Sequence, residues 1–110
     1  MSMKLEPVSD AALRAFKKLP KDVQEDFAKA FQDVMEGRKP SMQLKTLNGL
    51  GKNIKGVIEL VINGSPAYRA VYVAKYNNTV YLLHAFTKTT NGVDKPAMEV
   101  VVKRYKEIPI

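Results

Sequence analysis

The chain has 110 residues, 45% of them hydrophobic and 26% charged, which are the proportions of one folded domain with a single modest core. With no cysteine and one histidine, it excludes disulfide bonds, cysteine-type zinc sites and histidine-rich metal clusters, and no metal or small-molecule cofactor is expected. No apolar run approaches the ~20 residues that cross a bilayer, and the start of the chain lacks a secretory signal, so a cytoplasmic protein without membrane contact is expected.

Positive charge is concentrated in the later part of the chain. Residues 1–40 carry eight basic and seven acidic side chains, whereas residues 41–110 carry ten basic and four acidic ones. Between Met42 and Val93 the one acidic residue is Glu59. Such a one-sided field favours a polyanionic partner, with phosphate contacts that weaken as salt rises. The alternatives are a solvated basic surface or a surface that meets an acidic protein.

A first helix is predicted from the segment SDAALRAFKKLP. Ser9 and Asp10 are candidate N-caps, Leu13 and Phe16 share one face, and Pro20 ends the segment. These features predict a short amphipathic helix that buries one side.

A second, longer helix is predicted after Pro20. Asp22 and Glu25 have the spacing of a capping box, and Gly37 marks the end. Its apolar residues recur at helical spacing: Val23, Phe27, Ala30, Phe31 and Val34. The two helices together predict an antiparallel hairpin whose apolar stripes pack on a sheet.

Three strands and a last helix are predicted after an irregular loop. The loop is MQLKTLNGLGKNIK, with two glycines, two asparagines and three lysines. The strands are KGVIELVIN, AYRAVYVAKY and VYLLHAFTKT, joined by the turn segments NGSP and NNT into an antiparallel meander. Asp94 caps the final helix, whose apolar face is Met98, Val101, Tyr105 and Ile108. The predicted fold is a single α+β domain over residues 1–110, in the order α-α-β-β-β-α, with helices on one face of the sheet.

Strand alternation divides the predicted sheet into two faces. With the helices on one side, Lys55, Arg69 and Lys75 are candidates for the uncovered side. His84 lies in a strand whose two faces are both apolar, so its direction stays open, and packing, ligation or proton transfer are the alternatives.

Most motifs of nucleotide or nucleic-acid chemistry are missing. The segment GLGKN lacks the Walker spacing, and no serine or cysteine has a nucleophile-elbow context. Tyr68, Tyr72 and Tyr76 have the spacing of a base-stacking face, but no RNP-type motif accompanies them and core packing is favoured. The basic run near Arg104 is typical of a solvated helix face.

The order of the remaining motifs resembles the RelE/ParE superfamily of small toxins, and most of all its phage-derived, HigB-like branch. The matching segments are YRAVYVAKY, VYLLHAFTKTTNGVDKP and VVVKRYKEI. Members of this family typically carry a strand close to E-L-R, then Y-R-V, then L-L-H-A-F-x-K-K, a loop ending in proline, and a basic-aromatic last helix. The resemblance spans most of the chain.

This resemblance implies the toxin of a type II toxin–antitoxin system. The expected activity is metal-independent endoribonuclease cleavage of mRNA, usually on the ribosome, by attack of a 2′-hydroxyl, and the expected partner is a cognate helix-turn-helix antitoxin. The expected catalytic residues are Arg69 as the cation on the phosphorane, Lys88 as phosphate ligand or proton donor, and His84 in acid–base work. The expected RNA-binding residues are Lys45, Lys52, Lys55, Lys75 and Arg104.

Three positions depart from the family pattern. Val61 replaces an arginine, Thr89 replaces a second lysine, and Met98 stands where some relatives carry a catalytic tyrosine.

Two alternatives keep the basic surface without this chemistry: a ParE-like inhibitor of DNA gyrase, and a phage nucleic-acid-binding protein without activity.

Overall fold

Strands and helices cover most of the chain in the computed structural model, which describes residues 2–110. The predicted strands, helices and α+β class are confirmed, with two further strands in the order β-α-α-β-β-β-β-α. The elements are β1 (Lys4–Pro7), α1 (Asp10–Lys17), α2 (Lys21–Met35), β2 (Gln43–Thr46), β3 (Val57–Ile62), β4 (Ala67–Tyr76), β5 (Thr79–Lys88) and α3 (Lys95–Tyr105).

The five strands form one sheet in the order β1-β5-β4-β3-β2. β1 runs parallel to β5, and the other neighbouring pairs are antiparallel. The α-α-β-β-β-α order was therefore incomplete, because β1 and β2 are short edge strands. All four residues of β1 are exposed, and β2 contributes Leu44 alone as a partly buried residue. Neither has the alternation that identifies a strand in sequence.

Side-chain caps fix two of the three helix starts. The Ser9 hydroxyl accepts a hydrogen bond from the Ala12 amide at 3.2 Å, and the Asp94 carboxylate accepts one from the Ala97 amide at 3.1 Å. The capping box predicted for the second helix was wrong. That helix follows Pro20 and has no side-chain cap, so Asp22 lies within its first turn.

The β4–β5 turn uses residues that tolerate positive φ. Tyr76 pairs with Thr79, and the two intervening residues, Asn77 and Asn78, have φ of 57° and 50°. Positive φ at both central positions defines the type I′ turn, whose twist matches that of antiparallel strands.

Helices cover both faces of the sheet, so the expectation of helices on one face was wrong. α1 and α2 cover one face, in a cluster that includes Phe27, Phe31, Leu60, Tyr72 and Leu82. α3 covers part of the other face, in a cluster that includes Val57, Val73, Leu83, Val101 and Tyr105. The spacing of apolar residues correctly identified the buried face of the last helix. The strands are apolar on both faces, so the sequence could not show which face of the sheet this helix covers.

α3 and the loop of residues 47–54 cover only part of their face of the sheet. The covered part lies over Val57, Val73 and Tyr81. The part beside Arg69 and Lys88 lines open cavities instead. Within residues 2–110 no helix is long and apolar enough to span a membrane.

Candidate functional site

Arg69 and Lys88 are neighbours on the partly uncovered face of the sheet. Arg69 pairs with Phe86, and Lys88 follows two positions along the same strand, opposite Ala67. Such diagonal neighbours lie about 7–8 Å apart, within reach of two long side chains. Both line an open cavity of about 630 Å³ between the β3–β4 turn and the loop after β5.

Arg69 is held rigidly in the wall of this cavity. Its side chain is buried, and Nη1 donates hydrogen bonds to the carbonyls of Ile62 at 3.2 Å and Tyr68 at 3.0 Å. Nε is buried without a hydrogen-bond partner. A guanidinium fixed in this way loses little conformational freedom when it receives an anion.

Glu59 is the acidic partner of this arginine. Its Oε1 lies 3.6 Å from Arg69 Nε and 3.6 Å from Lys45 Nζ. Glu59 is only 5% exposed, whereas half of the Lys45 side chain is exposed. Glu59 also lines a smaller cavity of about 240 Å³ that shares Lys88 with the first one. We refer to Lys45, Glu59, Arg69 and Lys88 as the Arg69 site.

Glu59 is the member of the site that sequence reasoning did not select. The sequence does mark Glu59 as unusual, because it is the one acidic residue between Met42 and Val93 and it alternates with Val57 and Val61 along β3. A carboxylate is retained in a buried face when it is paired, and here two cations pair it. Sequence spacing cannot show that Lys45 and Arg69 meet it, because they come from the two strands on either side.

His84 lies on the same face, but it belongs to a different environment. Its ring stacks on Phe86 with centroids 5.1 Å apart, and Nδ1 lies 3.1 Å from Arg104 Nη1. A guanidinium can only donate, so Nδ1 accepts and the ring proton is on Nε2. Burial, and to a lesser extent Arg104, lowers the pKa of His84 to about 4, although Asp94 opposes this shift. The ring is therefore neutral at physiological pH, and the acid–base role expected for it stays a prediction.

The predicted RNA-binding residues lie in separate parts of the protein. Lys45 belongs to the Arg69 site, and Arg104 contacts His84. Lys52, Lys55 and Lys75 are exposed, and Lys55 and Lys75 lie at the opposite end of the sheet. Lys75 and Arg69 are six residues apart on β4, which corresponds to about 20 Å along an extended strand. One compact RNA contact at the Arg69 site cannot include Lys75.

The three departures from the family pattern all lie at or beside the Arg69 site. Val61 is buried directly opposite Arg69 in the β3–β4 pair, so an arginine there would stand beside the Arg69 guanidinium. Thr89 lines the larger cavity, and Met98 lines the smaller one together with Glu59. The site therefore has fewer ionisable groups than the family pattern provides.

The arrangement of the Arg69 site suits phosphate chemistry. A rigid guanidinium and a half-buried ammonium line one cavity, and a carboxylate lines a second cavity that shares the ammonium. Within residues 2–110 no three histidine, cysteine or acidic side chains are grouped as metal ligands.

Comparison with known proteins agrees with this fold. Residues 14–106 match the model of the family described as phage-derived protein Gp49-like. The free form of a mutant of the E. coli toxin RelE superimposes with a TM-score of 0.62, at 23% identity, over 98% of this chain and 99% of that one. The RelBE2 toxin–antitoxin complex of Mycobacterium tuberculosis gives a TM-score of 0.51, at 20% identity, over 82% of this chain and 95% of that one. No curated protein sequence matches the chain significantly.

The family match extends over most of the chain, including β2, β3, β4 and β5, which carry the Arg69 site. The narrower assignment to a HigB-like branch stays a prediction. The chain belongs to the phage-derived Gp49-like family and has the fold of the RelE superfamily of toxins, as the resemblance predicted.

Proposed function

We propose that the protein is the toxin of a type II toxin–antitoxin system and cleaves mRNA at the Arg69 site. One observation carries this proposal: Arg69 and Lys88 line the same open cavity, on the part of the sheet that no helix covers. Family membership supports it, because a RelE-type fold is the expected frame for this activity. Fold alone does not fix activity, so the chemistry must come from the residues of the site.

The proposed reaction is an in-line transesterification. The ribose 2′-oxygen attacks the adjacent phosphorus, and the bond from phosphorus to the 5′-oxygen of the next nucleotide breaks. The products are a 2′,3′-cyclic phosphate and a 5′-hydroxyl end. Arg69 stabilises the negative charge that develops on the phosphorane, because two carbonyls hold Nη1 and so orient the guanidinium before substrate arrives.

Two proton transfers accompany this reaction. Lys88, which is half-buried and lines both cavities, is assigned to the proton of the leaving 5′-oxygen. Glu59 is assigned to the proton of the attacking hydroxyl, because it is the paired carboxylate that faces the smaller cavity beside Lys88. Lys45, which is half exposed, holds the Glu59 carboxylate and reaches solvent near the RNA backbone.

The proposed partners follow from the same surface. mRNA on the ribosome is the proposed substrate, since the net charge of +7 favours association with RNA. A cognate helix-turn-helix antitoxin is the proposed inhibitor. The similar RelBE2 structure is a toxin–antitoxin complex, which supports a protein partner of this kind.

The experiment is a cleavage assay with purified protein and end-labelled RNA, with and without ribosomes. We expect products with a cyclic phosphate and a 5′-hydroxyl, and no product from RNA that carries a 2′-deoxy sugar at the cut. Lys88→Ala removes an active-site ammonium, and Lys29→Ala is the matched control because it removes an exposed ammonium from α2, which covers the other face of the sheet. Equal activity of both variants would exclude the Arg69 site as the centre of cleavage.

A second measurement separates cleavage from the alternatives. Brief induction of the protein in cells followed by mapping of mRNA 5′ ends is expected to show cuts at fixed positions within codons. Intact mRNA with DNA damage would instead identify a gyrase inhibitor. Intact mRNA and intact DNA, with RNA retained by the purified protein, would identify a binding protein without activity.

A further inference from the structure

A second basic cavity lies outside the Arg69 site. It has a volume of about 440 Å³ and is bounded by α1, the end of β5 and α3. Its charged lining residues are Arg14, Lys18 and Arg104, and no acidic side chain lines it. We call it the Arg104 cavity. Neither composition nor spacing indicated it, because α1 and α3 are separated by most of the chain.

Two cations of the Arg104 cavity, Arg14 and Arg104, are close enough to repel each other. Burial lowers the pKa of Arg104, Glu107 raises it, and the charge of Arg14 lowers it by a smaller amount. An anion between the two guanidinium groups would relieve this repulsion. Cations held together without a lining carboxylate are an arrangement suited to phosphate.

Arg104 is oriented by its neighbours. Nη1 donates to the Leu83 carbonyl at 3.1 Å and to His84 Nδ1 at 3.1 Å. The hydrogen bonds of Arg104 within residues 2–110 use this one nitrogen, so the remaining guanidinium donors are free of protein partners. The neutral His84 ring, which also lines the cavity, keeps its proton on Nε2 and supplies a further donor.

The cavity continues towards the Arg69 site along β5. β1 pairs with this strand only as far as Leu82, so the outer edge from His84 onward has no strand beside it. Phe86 stacks on His84 and lines both the Arg104 cavity and the smaller cavity of the Arg69 site. An aromatic surface therefore joins two groups of cations.

The separation of the two groups suits a short length of single-stranded RNA. His84 and Lys88 are four residues apart on β5, or about 13 Å. At about 3.4 Å per nucleotide of stacked strand, that distance corresponds to about four nucleotides. Aromatic rings between phosphate contacts are the usual way in which proteins hold unpaired bases.

We propose that the Arg104 cavity is a second phosphate-binding subsite, which holds the same RNA strand whose scissile phosphate lies at the Arg69 site. Arg14, Lys18 and Arg104 bind a backbone phosphate there, and a base between the two subsites stacks beside Phe86. This inference rests on the proposed function, because it takes RNA as the ligand.

The test compares two charge-matched double variants. Arg14→Gln/Lys18→Gln removes two exposed cations from the cavity, and Lys17→Gln/Lys21→Gln removes two exposed cations that lie outside it. Thermal denaturation of both variants establishes that they are folded. The probes are 2′-O-methyl RNAs, which cannot be cleaved, of about three and about twelve nucleotides, so that only the longer one spans both subsites.

We expect the cavity variant to bind the longer RNA about tenfold more weakly than the control variant, with equal affinity for the short one. The slope of log Kd against log salt should fall by about 0.7 for each phosphate of a single strand that the variant no longer neutralises. Equal affinities of the two variants for the longer RNA would overturn the proposal. Loss of antitoxin binding with unchanged RNA binding would also overturn it, and would assign the cavity to a protein.

Failure of this inference can be distinguished from failure of the proposed function. The probes measure binding without cleavage, and Lys88→Ala is titrated beside the double variants. If Lys88→Ala weakens RNA binding and Arg14→Gln/Lys18→Gln does not, the Arg69 site is retained and the second subsite is lost. If the cavity variant weakens binding and the cleavage assay shows equal activity of Lys88→Ala and its control, the subsite is retained and the proposed cleavage centre is lost.

Discussion

Glu59 and Arg69 form a buried ion pair across β3 and β4, with Glu59 Oε1 3.6 Å from Arg69 Nε and both side chains 7% exposed. Their backbones are not directly opposite each other: Glu59 pairs with Val71, and Arg69 pairs with Val61. The contact is therefore a diagonal one, made possible by the length of the arginine. It connects the stability of the sheet to the site proposed for catalysis.

Glu59→Gln should destabilise the protein by about 2–3 kcal/mol. The substitution leaves the buried Arg69 charge without its counter-charge, and breaking a buried pair typically costs more than removing an exposed one. Urea denaturation monitored by circular dichroism measures the change. Glu99→Gln on the exposed side of α3 is the control, with an expected change within about 0.5 kcal/mol. Equal stability of the two variants would show that the pair contributes nothing.

Lys88→Ala should reduce the rate of RNA cleavage by roughly 100- to 10,000-fold, the usual contribution of a positioned general acid. Its side chain is only half-buried and makes no ion pair among residues 2–110, so stability should change little. Single-turnover cleavage of a labelled RNA gives the rate, and a melting curve gives the stability. A fall of less than about tenfold, given wild-type folding, would remove Lys88 from the proton transfer.

Stability should fall as the pH is lowered from about 6.5 to about 4. The pKa of His84 is lowered from 6.5 to about 4 in the folded protein, first by burial and then by Arg104, with Asp94 opposing. Between these values the unfolded chain binds a proton that the folded chain does not, so lowering the pH favours unfolding. The loss should be about 1–2 kcal/mol, since the ring is only partly buried.

His84→Gln removes this titration, so its stability should vary less with pH over the same range. The measurement is the free energy of unfolding at several pH values for both proteins. Parallel curves for the wild type and the variant would show that His84 is not responsible for the pH dependence.

Gly56→Ala should destabilise the protein more than Gly37→Ala. Both glycines have φ of +76°, so each alanine incurs a similar backbone strain of about 1–2 kcal/mol. At Gly37 a Cβ meets nothing within 4 Å, whereas at Gly56 it would lie 2.7 Å from Lys75 Cδ. The excess should be small because a lysine side chain is flexible, and it should disappear when Lys75→Ala is added. Chemical denaturation of the three variants tests this, and an excess that persists without the lysine would place its cause in the backbone.

Several local features of this protein could be deduced from its residues alone. The segment NGSP was predicted to join two strands, and it forms the β3–β4 turn, with φ of 147° at Gly64. Ser9 and Asp94 were identified as caps from the sequence. A short side chain with an acceptor oxygen, placed just before apolar residues at helical spacing, accepts hydrogen bonds from the free amide groups of the first turn. The three central strands were found through their apolar and β-branched composition. The selection of Arg69 and Lys88 came from a family resemblance, and their roles remain predictions.

The tertiary structure alone decided which groups meet. β1 and β2 are strands because the sheet edge supplies hydrogen-bond partners, although their own side chains are mostly exposed. The bulge between Val71 and Tyr72 sets the register that places His84 opposite Val71, and no alternation rule in a strand apolar on both faces predicts it. Residue types and the spacing of apolar residues determine where helices and strands form, because they act between residues that are close in the sequence. The meeting of Glu59 with Arg69, and of Arg14 with Arg104, depends on pairing and packing between distant segments, which a single sequence does not encode in its spacing.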